Sequence, residues 1–183
     1  MVKPRSVWYI TGMDKLELPV YRFCPVCGGE VTLQEAEGFA RPVCTACGRI
    51  IYVNPHPATC QVVFDGGRVL LTRRAVRPKK GWWCLPGGFI EWGESPVDAA
   101  RRELKEETSI TAEELSLVGV YDSITGKRRH VLIVAYEVTV WHGEPSPGDD
   151  TDKVTWFDTA RVPELAFDTH LRALEDALAG RRQ

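Results

Sequence analysis

The sequence predicts an α+β protein: an α/β/α layered domain around a mixed sheet, with a small cysteine-bearing module ahead of it. Three observations carry this. β-rich runs fall before, between and after two helical segments, an order that places helices on the faces of a sheet. Two Cys-x2-Cys pairs lie close together near the N-terminus. At 183 residues the chain has room for one ordinary domain plus a small module.

Composition narrows the class. Hydrophobic content of 44% with 26% charged residues is that of a chain able to bury a core. The net charge of −2 and a pI near 6.1 give no electrostatic footprint for duplex DNA or an anionic membrane. No apolar run reaches membrane-spanning length, and the first residues lack the apolar stretch of a secretory signal. The expectation is a soluble, cytoplasmic protein.

Taken in order, residues 1–20 form an extension with no readable motif. Residues 21–53 hold Cys24, Cys27, Cys44 and Cys47, two pairs separated by 16 residues. That is the spacing of a four-thiolate zinc ribbon, a closed and therefore structural Zn²⁺ site. Gly28 and Gly48 follow the two pairs, where a glycine lets the chain turn so that its amides face the sulfurs. Two unrelated redox pairs would be the alternative. Cys60, in an apolar run, is expected to be buried, and Cys84 has no partner histidine and receives no catalytic role.

The second domain is expected over 54–183, entered through the proline-rich segment 54–57. Residues 59–64 and 68–72 flank Asp65, Gly66 and Gly67, a hairpin signal. Ser95 as N-cap, Pro96 at the first helical position and Asp98 completing a capping box predict a helix over 96–108. Val97, Ala100 and Leu104 supply its apolar stripe, flanked by Glu103 and Glu107. Residues 115–121 and 130–141 read as strands joined through the basic segment 126–129, and 154–157 as a further short strand. Asp168 is expected to cap a last helix that stops at Gly180.

Within the first helix Glu103, Glu106 and Glu107 recur at i, i+3 and i+4, so they stack on one face. Three adjacent carboxylates repel unless a cation sits among them, and hard oxygen ligands suit Mg²⁺ or Mn²⁺. By itself such a stretch is more often a solvated helix face laced with ion pairs. Its neighbours decide against that reading. Gly88, Glu94, Arg102, Glu103, Leu104, Glu106, Glu107 and Ile110 fall in register over 23 residues, with residues 85–87 (Leu-Pro-Gly) just before them.

These positions resemble the Nudix box, G-x5-E-x7-R-E-U-x-E-E-x-G-U with U aliphatic. One position departs: Ser109 stands where the pattern has its second glycine. That glycine normally ends the helix, so altered helix termination with retained chemistry is expected. The resemblance implies the Nudix α/β/α fold and metal-assisted hydrolysis of a nucleoside diphosphate linked to another moiety. Glu103 and Glu107 are the expected metal ligands, with Glu106 as a further ligand or an aid to the attacking water. Gly88 would let the backbone approach metal or phosphate, Arg102 would orient a glutamate, and Glu94 would brace the loop or join the metal shell.

Candidates for substrate contact are Arg73 and Arg74 at a strand end and Trp82 or Trp83 as a base-stacking ring. Lys127, Arg128 and Arg129 at a hairpin tip, and the acidic loop of Asp149, Asp150 and Asp152, are further candidates. Lys153 occupies a place where some relatives carry Glu. Solvation of a strand end, packing of a loop and solubility of a hairpin tip are the plainer readings of the basic and aromatic groups. The four histidines show no ligand spacing.

A ribbon ahead of a Nudix domain is shared with NADH pyrophosphatases, but their Ser-Gln-Pro-Trp-Pro-Phe-Pro type segment has no match here. Segments 54–58, 85–91 and 165–168 look like the smaller ribbon-Nudix proteins described as ADP-ribose and flavin-nucleotide pyrophosphatases. ADP-ribose, cleaved to AMP and ribose 5-phosphate, is therefore the expected substrate, with NADH or FAD the alternative and a homodimer implied by the family. A reading from another class is a non-catalytic sensor or nucleic-acid-binding regulator. The complete set of box carboxylates and the acidic pI count against it, while a nucleotide-capped RNA substrate would fit both classes.

Overall fold

The computed structural model describes residues 21–125 and 129–181. The extension 1–20, and with it the basic tip residues Lys127 and Arg128, lie outside the described residues. The chain folds as two units.

In the N-terminal unit the strands β1 (Val31–Ala36) and β2 (Phe39–Cys44) pair antiparallel. Glu37 and Gly38, at φ 54° and 79°, form the two-residue turn between them. Positive φ at both central residues matches the right-handed twist of the flanking strands. On each side of the hairpin a cysteine knuckle closes in the same way. Gly28 donates its amide to the Cys24 carbonyl and Gly48 to that of Cys44, each at 3.0 Å. Both glycines sit at φ near 70° (72° and 70°), which explains their place after each pair.

The second unit is built on β3 (His56–Asp65), β4 (Arg68–Arg74), β5 (Trp83–Cys84), β6 (Thr111–Thr125), β7 (Arg129–His142) and β8 (Thr151–Asp158). Its sheet runs β5-β4-β3-β7-β6, with β8 paired to β4. β3 and β7 are parallel and β4 and β8 antiparallel, so the sheet is mixed. The expected hairpin is present, but β3 and β4 pair only beside their turn, Phe64 with Val69 and Asp65 with Arg68. Farther along, β3 takes a different neighbour. Thr59 and Gln61 donate their amides to the carbonyls of Gly88 and Pro86 at 2.8 and 2.9 Å. The loop after β5 thus lies along β3 like a short extra strand. β3 also begins at His56, so the proline-rich segment is partly strand; Pro57 costs little there because the strand is only starting.

Alternation along the strands separates two cores. Cys60, Val62, Phe64, Val69 and Leu71 pack with Ala173, Leu174 and Ala177 of α2 (Asp168–Gly180). Val63 and Leu70, of the opposite parity, pack with Leu104 of α1 (Pro96–Thr108) and with Ile110 and Val138. One helix on each face is the expected layered arrangement. It also explains why β3 reads as a continuous apolar run: both of its faces are covered.

The helix α1 has the expected limits. The Ser95 hydroxyl accepts the Asp98 amide at 3.1 Å and donates to the Asp98 carboxylate at 2.6 Å, a cap worth about 1 kcal/mol. Its termination corrects the expectation raised by the missing glycine. Ser109 adopts the left-handed conformation a glycine would take, φ 63°, and its amide donates to the Lys105 carbonyl. The Lys105 ammonium in turn binds the Ser109 carbonyl at 2.8 Å. Because an L-residue is strained there, Ser109→Gly is expected to be neutral or to stabilise by up to about 1 kcal/mol. A lower melting temperature for the variant would contradict this.

α2 is corrected at its start. Phe167 is the N-cap and makes no side-chain cap bond, and Asp168 is the first helical residue. An acid there favours the helix through its dipole and not through capping.

Candidate active site and cysteine cluster

The side chain of Arg102 organises the start of the site. Its guanidinium grips Glu94 with two bonds (2.9 and 3.0 Å) and reaches Glu103 at 2.8 Å and Glu106 at 2.9 Å. It also donates to the Phe89 carbonyl at 3.0 Å. One planar cation with five N–H groups therefore ties the loop before α1 to two glutamates on α1. Glu94 continues the bracing by accepting the Glu91 amide at 3.1 Å. The bonds from Arg102 hold its carboxyl below the usual range.

Glu103 and Glu107 are buried on α1, whereas Glu106 is exposed. The three acids are therefore not equivalent, although their spacing is the same in the sequence. Burial raises the Glu103 carboxyl against the opposing pull of Arg102. Glu107 is raised further. Burial, with the Asp150 and Glu103 carboxylates adding repulsion, pushes it up to about 9, although the Gly87 amide it accepts at 2.9 Å pulls the other way.

Steric fit sets the glycines before α1. A Cβ on Gly88 would lie 2.4 Å from the Glu103 carboxylate, and one on Gly87 would lie 2.2 Å from the Thr59 carbonyl. The Gly87 clash is with backbone and cannot relax, whereas a side chain at Gly88 would displace the Glu103 carboxylate.

The acidic loop closes over the end of α1. Ser146 and Gly148 donate their amides to the carbonyls of Thr108 and Glu107 at 2.9 and 3.2 Å. The Thr151 hydroxyl bonds the Glu107 carbonyl at 3.0 Å. Helix-end carbonyls left without intrahelical partners are thereby satisfied, and Asp149 and Asp150 are placed beside the buried glutamates, where their charge raises Glu103 and Glu107.

Other expected residues stand apart from this cluster. Arg73 and Asp152 pair with each other, at 2.7 and 3.0 Å. Arg74 donates to the Pro78 carbonyl at 2.8 Å and lies over the Phe167 ring. Trp83 packs edge-on against Phe157 with ring centroids 4.8 Å apart. The more exposed Trp82 has the Lys79 ammonium 4.3 Å above its ring.

A residue given no role from the sequence proves structural for the site. The buried His170 accepts the Leu85 amide on Nδ1 at 3.2 Å, anchoring the start of the loop that carries Gly87 and Gly88. Burial, then the charge of Arg74, pushes its imidazole down to about 4. A folded state that binds its proton less readily than the unfolded one is destabilised as acid is added. The stability His170 confers is complete above pH 6.5 and declines as pH falls toward 4, by roughly 3 kcal/mol at most. Thermal melts at pH 7 and pH 4.5 should show a larger drop for the parent than for His170→Gln; equal drops would contradict the assignment.

In the N-terminal unit the sulfurs of Cys24, Cys27, Cys44 and Cys47 all lie within 4.8 Å of one another. Among the described residues no other cysteines, histidines or acids gather in this way. The amides of Val26 and Cys47 point at the sulfurs of Cys24 and Cys44, each at 3.5 Å. Such bonds favour thiolate, and the Cys47 amide is the main cause that brings Cys44 down to about 6. In the second unit Cys60 and Cys84 are buried, their thiols pushed up to about 12 and 11 by burial.

Residues 54–177 match the NUDIX domain family, and residues 22–53 match the zinc-ribbon family described as Nudix N-terminal. The chain belongs to the Nudix hydrolase family. It is 38% identical to the ADP-ribose pyrophosphatase of Methanocaldococcus jannaschii over 69% of this chain and 75% of that protein. It is 29% identical to the NAD-capped RNA hydrolase NudC of Pseudomonas aeruginosa over 88% of this chain, which spans 56% of that protein. Among solved structures it resembles the NUDIX domain of Shewanella oneidensis NrtR complexed with ADP ribose. The TM-score there is 0.63 at 26% identity, over 72% of this chain and 91% of that one. Among the described residues no helix is long and apolar enough to cross a membrane.

Proposed function

We propose that this Nudix hydrolase cleaves the pyrophosphate of ADP-ribose to AMP and ribose 5-phosphate, with Mg²⁺ or Mn²⁺ held by Glu103 and Glu107. The observation that carries the metal assignment is the condition of Glu107. It is a buried acid beside Asp150 and Glu103, and among the described residues it has one amide and no cation as partner. Such a donor set fits a hard divalent ion, which when bound neutralises phosphate oxygens and lowers the pKa of a water. Glycine at position 88 leaves the Glu103 carboxylate where it stands, since a Cβ there would displace it.

The remaining roles rest on the chain's own residues. Arg102 holds Glu103 and Glu106 in place, and Glu94 locks Arg102. Glu106, exposed at the edge of this network, would orient the attacking water or serve as a further metal ligand. Asp150 is the acid of the loop that lies against Glu107, and Asp152, already paired with Arg73, shapes the loop. Arg74 and Trp83, which stand apart from the acids, are the outlying candidates for substrate contact. The 38% identity to an ADP-ribose pyrophosphatase supports the substrate. The cysteine tetrad holds structural Zn²⁺ in a ribbon over 21–53, ahead of the hydrolase domain over 54–183, and the protein works in the cytoplasm as a homodimer.

A second reading, a dinucleotide or NAD-capped RNA pyrophosphatase, is favoured by the similarity to NudC, which extends over 88% of this chain. A hydrolysis panel with Mg²⁺ and Mn²⁺ separates the two. ADP-ribose, NADH, NAD⁺, FAD, diadenosine polyphosphates, nucleoside triphosphates and an NAD-capped RNA are compared by kcat/KM. ADP-ribose is expected to lead; a higher value for the capped RNA or NADH would overturn that choice.

A further inference from the structure

Gln61 is out of place in β3. It lies between Cys60 and Val62, and all three are fully buried. One end of its amide is satisfied, Nε2 donating to the Thr59 hydroxyl at 2.9 Å. The other end, the Oε1 carbonyl, is buried with no partner. A buried polar atom left unpaired costs about 1–3 kcal/mol, and an apolar residue would fit a strand covered on both faces. Breaches of this kind concentrate at functional sites.

The place of Gln61 shows what it serves. Strand alternation puts Thr59, Gln61 and Val63 on the face that packs against α1, where Val63 meets Leu104. Leu104 follows Glu103 in the helix, and Glu107 lies one turn on. The backbone around Gln61 holds the same loop: its own amide binds the Pro86 carbonyl and the Thr59 amide binds that of Gly88. Gly87 and Gly88, between and beside those bonds, are the residues that touch Glu107 and Glu103.

We propose that Gln61 is a positioning residue for the metal-binding carboxylates: its buried amide, on the face of β3 that packs against α1, orients Glu107 and Glu103 from beneath. This proposal rests on the reading of Glu103 and Glu107 as metal ligands. Partners that orient ligands in this way are worth on the order of 10–100-fold in metal affinity or activity.

The test uses Gln61→Met, close to the original volume, and Gln61→Leu as a second apolar variant. Mn²⁺ affinity is followed by electron paramagnetic resonance, kcat and KM with ADP-ribose, and the melting temperature without added Mn²⁺. The expected result is a variant that melts no lower than the parent, binds Mn²⁺ about tenfold more weakly and loses about tenfold in kcat at unchanged KM. Parent-like Mn²⁺ affinity and kcat would overturn the proposal. So would losses that accompany a lower melting temperature in both variants, since Gln61 would then be a structural residue. If the parent binds Mn²⁺ but leaves ADP-ribose intact, the substrate reading fails while Mn²⁺ affinity still decides the role of Gln61.

Discussion

Glu107→Gln is expected to lower kcat for pyrophosphate hydrolysis by on the order of 10³-fold while leaving the fold intact. Losing a ligand removes several kcal/mol of charge stabilisation, and each 1.4 kcal/mol is about tenfold in rate. The fold should tolerate the change because Glu107 does not stabilise it as an anion. Its carboxyl is raised to about 9 by burial and by the acids near it, so its charged form is disfavoured in the metal-free protein. A glutamine of the same size removes that unfavourable charge and can still accept the Gly87 amide. Without added metal, the variant should therefore melt at the same temperature as the parent or higher. The parent should also gain more from Mg²⁺ or Mn²⁺ than the variant does. Near-parental turnover would sink the metal-site assignment; a large fall in melting temperature would instead make Glu107 a structural acid.

Cys24→Ser is expected to have the largest effect on stability. Among the described residues of the N-terminal unit the buried apolar side chains are Cys24, Val43 and Cys44, while Phe23, Val26, Leu33, Phe39 and Tyr52 are exposed. So small a core does not hold a ribbon together, and the zinc proposed for the tetrad would supply what is missing, on the order of 10 kcal/mol in apparent binding free energy for small zinc modules. Removing one thiolate should release the ion and unfold the ribbon. Zinc per chain by mass spectrometry should fall from one to none, with loss of a thermal transition. Turnover by the hydrolase domain should fall far less than stability does. A variant that keeps both its zinc and its melting profile would refute the ribbon assignment.

The parts of the site that were legible in the sequence share a property: each is local. Ser95, Pro96 and Asp98 define the start of α1 within one turn, and the helix has the expected limits. Glu103, Glu106 and Glu107 share a helix face because helical geometry requires it. The two Cys-x2-Cys knuckles are legible for the same reason, since each is closed by a backbone bond within five residues. The misreadings at helix ends also have local causes. A left-handed Ser109 and a non-capping Phe167 are conformations that residue type disfavours, and here the structure around them outweighs that preference.

Residue order alone carries the class: a layered α/β/α hydrolase domain behind a cysteine module, with the acids of its box in register. The inequality among those acids and the identity of their supports come from the folded assembly. Glu107 becomes a high-pKa buried acid because the fold buries it and brings Asp150 against it beside Glu103, and the Gly87 amide offsets this only in part. His170 holds the Leu85 amide across 85 residues, Arg73 is bound to Asp152 across 79, and Gln61 lies beneath a helix that begins far beyond it. No periodicity or spacing encodes such contacts, since they exist only after sheet order has brought distant segments together. Burial and charge at a site are properties of that assembly, and they set the chemistry its carboxylates perform.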